Sequence, residues 1–455
     1  MTLDEVLGLR MAVWGLGAEG TAVVALARAR GVEPLLIDDR PRTHGGASPV
    51  ESDAGVPVLL PGDVVWGDVD VVVRAPGVSR YRPELAAAEA AGVVVTTAMA
   101  LWLVDHADAP VVAVTGTKGK STTAALAAEI LRAEGKQVAL VGNIGVPVTD
   151  TYGQAPADAY VVEISSYQAA DVTCSPKAVV LTSLAPDHLD WHGGVEPYYR
   201  DKLRLVTAGR PDGAGALAVS AGNPEAVHRT ADHPDRMLYG PEGRVQVGAD
   251  GWIGVDGTRV VDGGRLRIPG RHNLWNLCGA VAGALLVTGR SPSPDAVAGA
   301  VDRFDGLPSR CRLLGIRDGR TFVDDALASN PFASAASIEV FADRPLTVIV
   351  GGADRGVDPG PLVAAITAHR PRATVVVLPP DGDRLAEALV AGGLPPDAVR
   401  VADGMAGATD LAAGLTPVGG VVLFSPGAPT PEGGGGYLER SRQFAAAAGL
   451  VVEGQ

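Results

Sequence analysis

A single segment indicates the fold class of this 455-residue chain: Val111-Val112-Ala113-Val114-Thr115-Gly116-Thr117-Lys118-Gly119-Lys120-Ser121-Thr122-Thr123. An apolar strand runs straight into a glycine-rich turn, and an Ala- and Leu-rich helix follows it. Backbone N–H groups and a helix N-terminus converge in such a turn, so it predicts a phosphate-binding loop. The segment differs from the standard Walker A motif, because Val114 stands where that motif has its first glycine.

The residue types of this turn suit the phosphates of ATP. Glycine lets the backbone approach the anion, Lys120 can neutralise the β- and γ-phosphates, and the Ser121 hydroxyl can ligate Mg²⁺. The turn also holds two of only five lysines in a chain that has 38 basic residues. We predict that the nucleotide contacts the whole turn: Gly116, Thr117, Lys118, Gly119, Lys120, Ser121 and Thr122.

Outward from this loop, short apolar runs alternate with Ala-rich helical stretches. This alternation is typical of α/β domains, in which helices cover both faces of a parallel sheet. We predict three such domains, formed by residues 1–108, 109–305 and 306–455. The Gly-rich stretch 211–268 is expected to be an insertion of short strands and loops.

Composition excludes several classes of protein. The net charge of −14 disfavours a nucleic-acid partner. Three cysteines without paired spacing, Cys174, Cys278 and Cys311, exclude a disulfide framework or a cysteine-built zinc site. No apolar run approaches the ~20 residues of a membrane span, and the N-terminus lacks the features of a signal peptide. We therefore expect a cytoplasmic protein without a membrane partner.

A second glycine-rich loop, Gly15-x-Gly17-x-x-Gly20, lies between two apolar strands near the N-terminus. Its sequence matches a dinucleotide-binding turn, and Asp38 or Asp39 follows at the distance expected for a ribose-binding acid. Glu19, at the start of the helix, would repel a diphosphate. A nicotinamide-cofactor site, a nucleotide-sugar site and an ordinary βα turn all remain open at this point.

Further segments resemble those of the Mur ligases, in particular the MurD-type ligases, in the same order along the chain. The matching segments are residues 115–122, Gly142-Asn143-Ile144-Gly145, Glu163-Ile164-Ser165-Ser166-Tyr167-Gln168, Asp187-His188-Leu189-Asp190, Tyr199-Arg200-Asp201-Lys202-Leu203-Arg204, Gly270-Arg271-His272-Asn273-x-x-Asn276 and Gly306-Leu307-Pro308-x-Arg310. The resemblance implies an ATP-dependent ligase that joins glutamate to UDP-N-acetylmuramoyl-L-alanine through an acyl phosphate. Folylpolyglutamate synthases have a similar ATP loop but lack a unit like residues 1–108.

The same resemblance implies a division of labour among the domains. A Rossmann-like N-terminal domain would bind the UDP part, a central P-loop-type ATPase domain would bind ATP, and a Rossmann-like C-terminal domain would bring the amino acid and close over the site. By resemblance, the UDP-linked substrate contacts Gly17, Glu19, Asp39, Arg40, Ala75, Gly77, Asn143 and Ser165. We expect the enzyme to be a monomer.

The resemblance also assigns the residues of the reaction. Ser121 and Glu163 would hold Mg²⁺ and His188 a second ion, while Lys202 would be carbamylated by CO₂ and become a metal ligand. Lys120, Glu163, His188 and Lys202 form the catalytic set, and Asn273, Asn276, Arg310 and Asp325 would contact the nucleotide. Each of these residues could instead have a structural role. Glu163 could be a capping or salt-bridged acid, His188 a polar histidine with satisfied hydrogen bonds, and Lys202 a surface lysine. Asn273 and Asn276 could be helix-capping amides, and Arg310 and Asp325 could belong to an ion pair at a domain interface.

The segments expected to form the glutamate pocket depart from the MurD pattern. Leu327 replaces one pocket lysine of those ligases, and Arg355 replaces the other. Thr430 is followed by Pro431 in place of leucine, while Tyr437 keeps an aromatic residue at the last pocket position. A lost charge-assisted contact weakens binding by roughly 10–150-fold, so the glutamate must be held differently.

Some relatives of MurD add L-glutamate in place of D-glutamate, and a separate epimerase then inverts the residue. Their pockets differ at these places, and their first loop begins as Trp14–Gly20 does here. We therefore predict ligation of L-glutamate, with an epimerase acting downstream. The alternatives are an ordinary D-glutamate ligase with a drifted pocket, a non-catalytic ATP-binding scaffold, and an oxidoreductase built on the first glycine-rich loop.

Overall fold

The computed structural model describes residues 1–39, 57–210, 212–213, 215–353, 358–380, 382–431 and 435–450. The described chain contains three β-sheets, each with helices of its own, and the α/β class is confirmed. By its internal contacts the chain forms two compact units. The first holds Met1–Arg265 with Arg271–Arg303, and the second holds Leu266–Gly270 with the chain from Phe304 onward. A domain boundary at residue 108 stays a prediction.

The first sheet of the first unit is parallel, and its five strands lie in the order β3-β2-β1-β4-β5. The strands are β1 Met11–Trp14, β2 Leu35–Ile37, β3 Val58–Leu59, β4 Val71–Arg74 and β5 Val94–Thr96. The helices are α1 Leu3–Leu7, α2 Ala18–Ala29, α3 Pro83–Ala90 and α4 Ala98–Asp105. The predicted Rossmann-like arrangement is confirmed here.

The neighbouring strands β1 and β4 lead to helices on opposite faces of this sheet. Val23 and Val24 of α2 pack in the core that contains Val13 of β1, whereas Leu85 of α3 packs in the core that contains Trp14. Because successive residues of a strand face opposite ways, these are the two faces of one sheet. A crevice therefore opens beyond the carboxyl ends of β1 and β4, where ligands of such sheets bind.

The second sheet has nine strands in the order β14-β13-β12-β11-β10-β9-β6-β8-β7. Its strands are β6 Val111–Thr115, β7 Val138–Gly142, β8 Ala159–Glu163, β9 Ala178–Leu181, β10 Ala216–Ser220, β11 Arg236–Gly240, β12 Val245–Val247, β13 Trp252–Val255 and β14 Thr258–Asp262. The helices are α5 Lys120–Ala133, α6 Ser166–Ala169, α7 Leu189–His192, α8 Val195–Thr207, α9 Pro224–Arg229, α10 Arg271–Thr288 and α11 Pro294–Arg303.

The stretch 211–268 was expected to be an insertion, and its strands are short as predicted. They nevertheless extend the central sheet. Strand β10 is almost wholly buried and pairs in parallel with β9, and β11 pairs in parallel with β10. This stretch is rich in glycine and charged residues, so its short apolar runs did not indicate strands that pair with the edge of the central sheet.

The sheet of the second unit has the order β15-β16-β20-β17-β18-β19, with only the β15–β16 pair antiparallel. The strands are β15 Arg312–Arg317, β16 Arg320–Asp324, β17 Leu346–Val350, β18 Thr374–Val377, β19 Val399–Val401 and β20 Val421–Phe424. The helices are α12 Pro331–Glu339, α13 Gly360–Ala368, α14 Gly382–Ala391, α15 Met405–Leu415 and α16 Gly436–Ala447.

This sheet also has adjacent strands that lead to opposite faces. Helix α13, which follows β17, packs Leu362 into the core containing Val348 and Leu423. Helix α16, which follows β20, packs Phe444 into the core containing Phe424. The carboxyl ends of β17 and β20 therefore border a second crevice of the kind that binds ligands.

Candidate active site

The predicted phosphate loop joins β6 to α5 and has the backbone shape of an anion cradle. Gly116 has φ = 148° and Gly119 has φ = 85°, which L side chains rarely adopt. A Cβ at Gly116 would lie 2.0 Å from Thr182 Oγ1, and one at Gly119 would lie 2.4 Å from Asn276 Oδ1. Glycine is therefore required at both positions by conformation and by space.

The Nζ atoms of two lysines converge on the carbonyl oxygen of Gly116. Lys120 Nζ donates to it at 2.9 Å and also to the carbonyl of Thr117 at 3.1 Å, and Lys202 Nζ donates at 3.1 Å. Lys202 is only 2% exposed, so it is not a surface lysine. Burial holds the pKa of Lys202 well below its usual value, and the charge of Lys120 is the second cause of this lowering. A neutral amine at Lys202 is thereby favoured.

Two buried polar atoms near the loop lack hydrogen-bond partners among the described residues. They are Ser121 Oγ, in the first turn of α5, and Glu163 Oε2, at the end of β8. Glu163 is fully buried, and its other oxygen accepts from Asn143 Nδ2 at 2.8 Å. Buried polar atoms are nearly always paired, so this pair of oxygens fits a ligand that the protein itself does not provide. A hydroxyl and a carboxylate are oxygen donors of the type that Mg²⁺ prefers.

His188 precedes α7 with the unusual backbone angles φ = 51° and ψ = 37°. Its ring is half exposed, lies 5.0 Å from the ring of Tyr167, and has its Nε2 3.5 Å from an Asp187 oxygen. The pKa of His188 is lowered chiefly by burial, and the charges of Lys120 and Lys202 lower it further. The imidazole is therefore biased toward the neutral form that binds metals.

Within the described ranges, no group of three His, Cys, Asp or Glu side chains could hold a metal ion. The predicted metal set differs in kind, because it combines one carboxylate, one hydroxyl, one imidazole and a modified lysine. Its assignment stays a prediction.

The two predicted nucleotide asparagines lie on α10, three residues apart. Asn276 Nδ2 donates to Asn273 Oδ1 at 2.9 Å, and both residues are buried. Asn276 Oδ1 lies 3.4 Å from Thr123 Oγ1 of α5. The amides are thus held against the helix that follows the phosphate loop.

Three of the residues predicted to bind the UDP-linked substrate, Gly17, Ala75 and Gly77, lie on the loops after β1 and β4. A Cβ built at Gly17 or at Gly77 would meet no atom within 4 Å, so the backbone is open to an approaching ligand at both. Gly15, by contrast, is packed against Ala75 and Val78. The Ala75 N–H donates to the Trp14 carbonyl at 2.7 Å, which fixes the second loop beside the first.

Glu19 connects this crevice to the segment that follows Glu163. Its Oε1 accepts from Gln168 Nε2 at 2.5 Å, and burial raises the pKa of Glu19 to about 7. Gln168 Oε1 in turn accepts from the backbone N–H of Ser165 at 3.0 Å. Asp39 pairs with Arg82 at 2.6 Å, and Arg40 lies outside the described residues.

Asn143 and Ser165 stand at the carboxyl ends of β7 and β8. Besides its side-chain bond to Glu163, Asn143 donates its N–H to the Glu163 carbonyl at 2.8 Å. Ser165 is the N-cap of α6 and forms a capping box with Gln168. The structure therefore brings both residues next to the predicted metal ligand.

Sequence reasoning missed a series of hydrogen bonds that runs from the exposed Tyr81 to three buried side chains. Tyr81 donates to Asp201, whose Oδ2 lies 2.7 Å from His192 Nδ1, and His192 Nε2 lies 3.0 Å from Ser166 Oγ. His192, Asp201 and Ser166 are each 3% exposed or less. The series joins the loop after β4 to α6, α7 and α8, which border the predicted catalytic residues. A local pattern does not reveal it, because its members are far apart in sequence.

The second unit assembles the segments expected to form the glutamate pocket. The Gly427 N–H donates to the Ala328 carbonyl at 2.9 Å, the Gly351 N–H to Pro426 at 2.8 Å, and the Ala353 N–H to Pro429 at 2.9 Å. These bonds hold the loops after β16, β17 and β20 together. Leu327 is half-buried, Thr430 is half-buried, and Tyr437 of α16 is 40% exposed. Arg355 is not among the described residues.

Asp325 is a structural anchor of this unit. Its Oδ1 accepts from the Cys311 N–H at 3.1 Å, and its Oδ2 accepts from Ser337 and Ser425 hydroxyls at 2.6 and 2.7 Å. Burial raises the pKa of Asp325 to about 6. Arg310 is exposed. Contacts of Arg310 and Asp325 with a nucleotide stay predictions.

No helix of the described chain is both long enough and apolar enough to span a membrane.

Comparison with known proteins places the chain in a family. Residues 114–284 match the model of the Mur ligase middle domain. A UDP-N-acetylmuramoyl-L-alanine–L-glutamate ligase of Micromonospora sp. is 40% identical over 456 residues, which cover 98% of each chain. Among solved structures, the UDP-N-acetylmuramate–alanine ligase MurC of Thermotoga maritima has a TM-score of 0.59 at 18% identity, covering 97% of this chain and 99% of that one. A Mycobacterium tuberculosis folylpolyglutamate synthase complexed with ADP also has a TM-score of 0.59, at 17% identity, covering 77% of this chain and 93% of that one.

These findings define the class as that of the ATP-dependent amide ligases. The chain belongs to the Mur ligase family, and within it to the MurD type.

Proposed function

We propose that this chain joins L-glutamate to UDP-N-acetylmuramoyl-L-alanine, a precursor of peptidoglycan, with conversion of ATP to ADP and phosphate. The observation that carries the proposal is a pair of buried oxygens beside a loop that presents Lys120. Ser121 Oγ and Glu163 Oε2 have no hydrogen-bond partner among the residues that the structure describes. A phosphoryl-transfer site needs cations that offset crowded anions, and this arrangement supplies the means to hold them.

The reaction has two steps. The carboxylate of the UDP-linked substrate attacks the γ-phosphorus of ATP, which forms an acyl phosphate and releases ADP. The amine of glutamate then attacks the activated carbonyl, the amide forms, and phosphate leaves with the bonding electron pair while the amine loses a proton. Lys120, whose ammonium now bonds two loop carbonyls, would turn to the transferred phosphoryl group.

Glu163, Ser121, His188 and Lys202 are the residues that would hold two Mg²⁺ ions. Bound Mg²⁺ would offset the charge of the phosphate oxygens during transfer. Lys202 contributes as a carbamate, formed when its neutral amine adds to CO₂ and releases a proton. Its burial favours the neutral amine that this addition requires.

The UDP part would occupy the crevice beyond β1 and β4. Its diphosphate would approach the open backbone at Gly17 and Gly77, with the N-terminus of α2 contributing a favourable dipole. Asp39 and Arg40 would contact the nucleoside. Asn143 and Ser165 would lie along the path from this crevice toward the reacting carboxylate.

The choice of L-glutamate rests on the pocket and on the relatives. Leu327 gives no charge where the MurD pattern has lysine, and Thr430 is followed by Pro431. Relatives that are 36–40% identical over nearly the whole chain carry the name UDP-N-acetylmuramoyl-L-alanine–L-glutamate ligase. We propose that the pocket is adapted to the L isomer and that an epimerase acts on the product.

Phosphate release tests this function directly. Purified enzyme is given UDP-N-acetylmuramoyl-L-alanine, ATP and Mg²⁺, and L- and D-glutamate are compared in parallel. Release with L-glutamate at a rate well above that with D-glutamate supports the proposal. A faster rate with D-glutamate would identify an ordinary MurD, and no release with either isomer would refute the assigned acceptor.

A further inference from the structure

A buried guanidinium in the second unit has an unused hydrogen-bonding group. Arg440 of α16 is 7% exposed. Its Nη2 donates to the carbonyl oxygen of Gly351 at 2.6 Å, and its Cζ lies 5.1 Å from the ring centroid of Phe424. Its Nη1 is buried and finds no hydrogen-bond partner within the part of the chain that the structure describes.

This guanidinium stands at the ligand-binding crevice of its sheet. Gly351 directly follows β17, and Phe424 is the last residue of β20. These two neighbouring strands lead to helices on opposite faces, which is where open α/β sheets bind ligands beyond their carboxyl ends. Arg440 thus contacts residues at the carboxyl ends of both strands that border this crevice.

The position of Arg440 is fixed by its neighbours. Ser441 Oγ donates to Asp324 Oδ2 at 2.6 Å, so the first half of α16 is tied to the end of β16. The loops after β17 and β20 are also joined, through the bond from the Gly351 N–H to Pro426. A group held this firmly is prepared to bind a ligand with little loss of conformational freedom.

A buried cation without an anion is unfavourable, because desolvation is not offset by a paired charge. Within the described part of the chain, burial is the one cause that acts on the pKa of Arg440, and it lowers that pKa to about 10. No carboxylate of the described residues therefore acts on this group appreciably. A carboxylate ligand suits it well, since guanidinium and carboxylate form short charge-assisted hydrogen bonds.

We propose that Arg440 binds a carboxylate group of the amino-acid substrate. The inference deepens the proposed function, on which it rests, and it gives the second unit a cation for glutamate although position 327 carries no lysine. Arg440 is thus a substrate-binding residue of the second unit, and it helps to explain how glutamate is held in a pocket that has lost a lysine.

The variant R440M tests the proposal, since methionine keeps most of the length and removes the charge. We expect its KM for L-glutamate to rise by roughly 10–150-fold, the effect of losing one charge-assisted contact. The KM values for ATP and for the UDP-linked substrate should change by less than about twofold. R442M is the matched control, because Arg442 lies two residues further on the same helix, is exposed and pairs with Glu439.

Further measurements keep the proposal falsifiable. R440K provides a charged variant if R440M does not fold, and its KM for L-glutamate should rise by at least about 10-fold because lysine lacks the planar fork. Comparison of L-glutamate with L-glutamine, which lacks the side-chain carboxylate, shows which carboxylate Arg440 binds. If R440M no longer prefers L-glutamate to L-glutamine, Arg440 binds the side-chain carboxylate. If R440M keeps this preference but has a raised KM for L-glutamate, Arg440 binds the α-carboxylate. An unchanged KM in folded R440M or R440K would overturn the proposal. If the wild-type enzyme is inactive with both glutamate isomers, the proposed function is refuted instead. Thermal melts with free L-glutamate then test the role of Arg440 separately, because they show whether L-glutamate stabilises the wild type and not R440M.

Discussion

The Tyr81 hydroxyl lies 2.9 Å from both carboxylate oxygens of Asp201, the residue that precedes the buried Lys202. Tyr81 belongs to the loop after β4, which also carries Ala75 and Gly77 of the proposed substrate crevice. Ser79 of the same loop donates to the Trp191 carbonyl at 2.7 Å, beside His192. The loop that would receive the UDP part is therefore bonded to the segments that carry the proposed metal ligands.

Removal of the Tyr81 hydroxyl should impair the chemical step. In Y81F, Asp201 loses a charge-assisted donor, the position of α8 is less well determined, and we expect kcat to fall by roughly 10-fold. Steady-state kinetics measures this. Y152F is the control, because Tyr152 also donates to an aspartate, Asp105, at 2.6 Å, but outside this network. Equal losses of kcat in both variants would contradict a specific role for Tyr81.

The pKa of Glu19, raised by burial to about 7, predicts a pH dependence of substrate binding. Because the pKa is raised, the carboxyl is neutral below about pH 7 and becomes an anion near the proposed diphosphate site above it. The KM for the UDP-linked substrate should rise about tenfold between pH 6 and pH 8. In E19Q, which cannot ionise, this KM should stay flat.

E33Q serves as the control for Glu19, since Glu33 pairs with Arg28 near the other end of α2. Its pH profile should follow the wild type. A profile of E19Q that keeps the wild-type slope would show that another group titrates.

Replacement of Glu163 separates a ligand from a structural acid. E163Q keeps an acceptor for Asn143 but replaces Oε2, the oxygen of Glu163 that has no hydrogen-bond partner among the described residues. Without ligands, we expect the free energy of unfolding to stay the same or to increase. We expect kcat to fall by about 100-fold or more, which exceeds the usual effect of replacing a residue that only hydrogen-bonds to a metal ligand. Thermal melts with ATP, with and without Mg²⁺, should show that the Mg²⁺-dependent stabilisation is lost.

E134Q is the matched acid-to-amide control, at the C-cap of α5. Glu134 pairs with Arg290 and accepts from the Ser293 N–H, so its replacement should lower stability without altering the Mg²⁺ effect. Retention of Mg²⁺-dependent stabilisation and activity in E163Q would remove Glu163 from the metal site.

Restoring the missing pocket lysine should alter the choice of isomer. L327K places an ammonium in a half-buried position of the loop after β16, where the MurD pattern has lysine. We expect D-glutamate activity to appear or to rise at least about tenfold relative to L-glutamate activity. L313K, on the exposed part of β15, controls for the added charge. No change of the isomer ratio in L327K would mean that this position does not set specificity.

Much of the fold could be predicted from the sequence because parallel strands buried on both faces are continuous apolar runs. The strands Leu35–Ile37 and Leu346–Val350 are largely apolar runs of this kind. The sequence did not predict that the strands of 211–268 extend the central sheet, because each strand depends on the sheet edge with which it pairs. Their place in the central sheet emerges only from tertiary pairing.

Some residues of the candidate site could likewise be identified from the sequence, and others could not. The phosphate loop is a local motif, so its residues could be named in advance, and the resemblance supplied Glu163 and Lys202. The bond between Tyr81 and Asp201 spans 120 positions of sequence. The burial of Arg440 Nη1, without a hydrogen-bond partner in the described part of the chain, is a result of tertiary packing. Neither leaves a periodicity or spacing that a sequence pattern could reveal.

The most direct test of the central claim offers the enzyme racemic glutamate with UDP-N-acetylmuramoyl-L-alanine, ATP and Mg²⁺. The product is hydrolysed, and the configuration of its glutamate is determined by chiral chromatography under conditions calibrated for racemisation. Our account predicts that the incorporated residue is predominantly L-glutamate. Predominant incorporation of D-glutamate would contradict it.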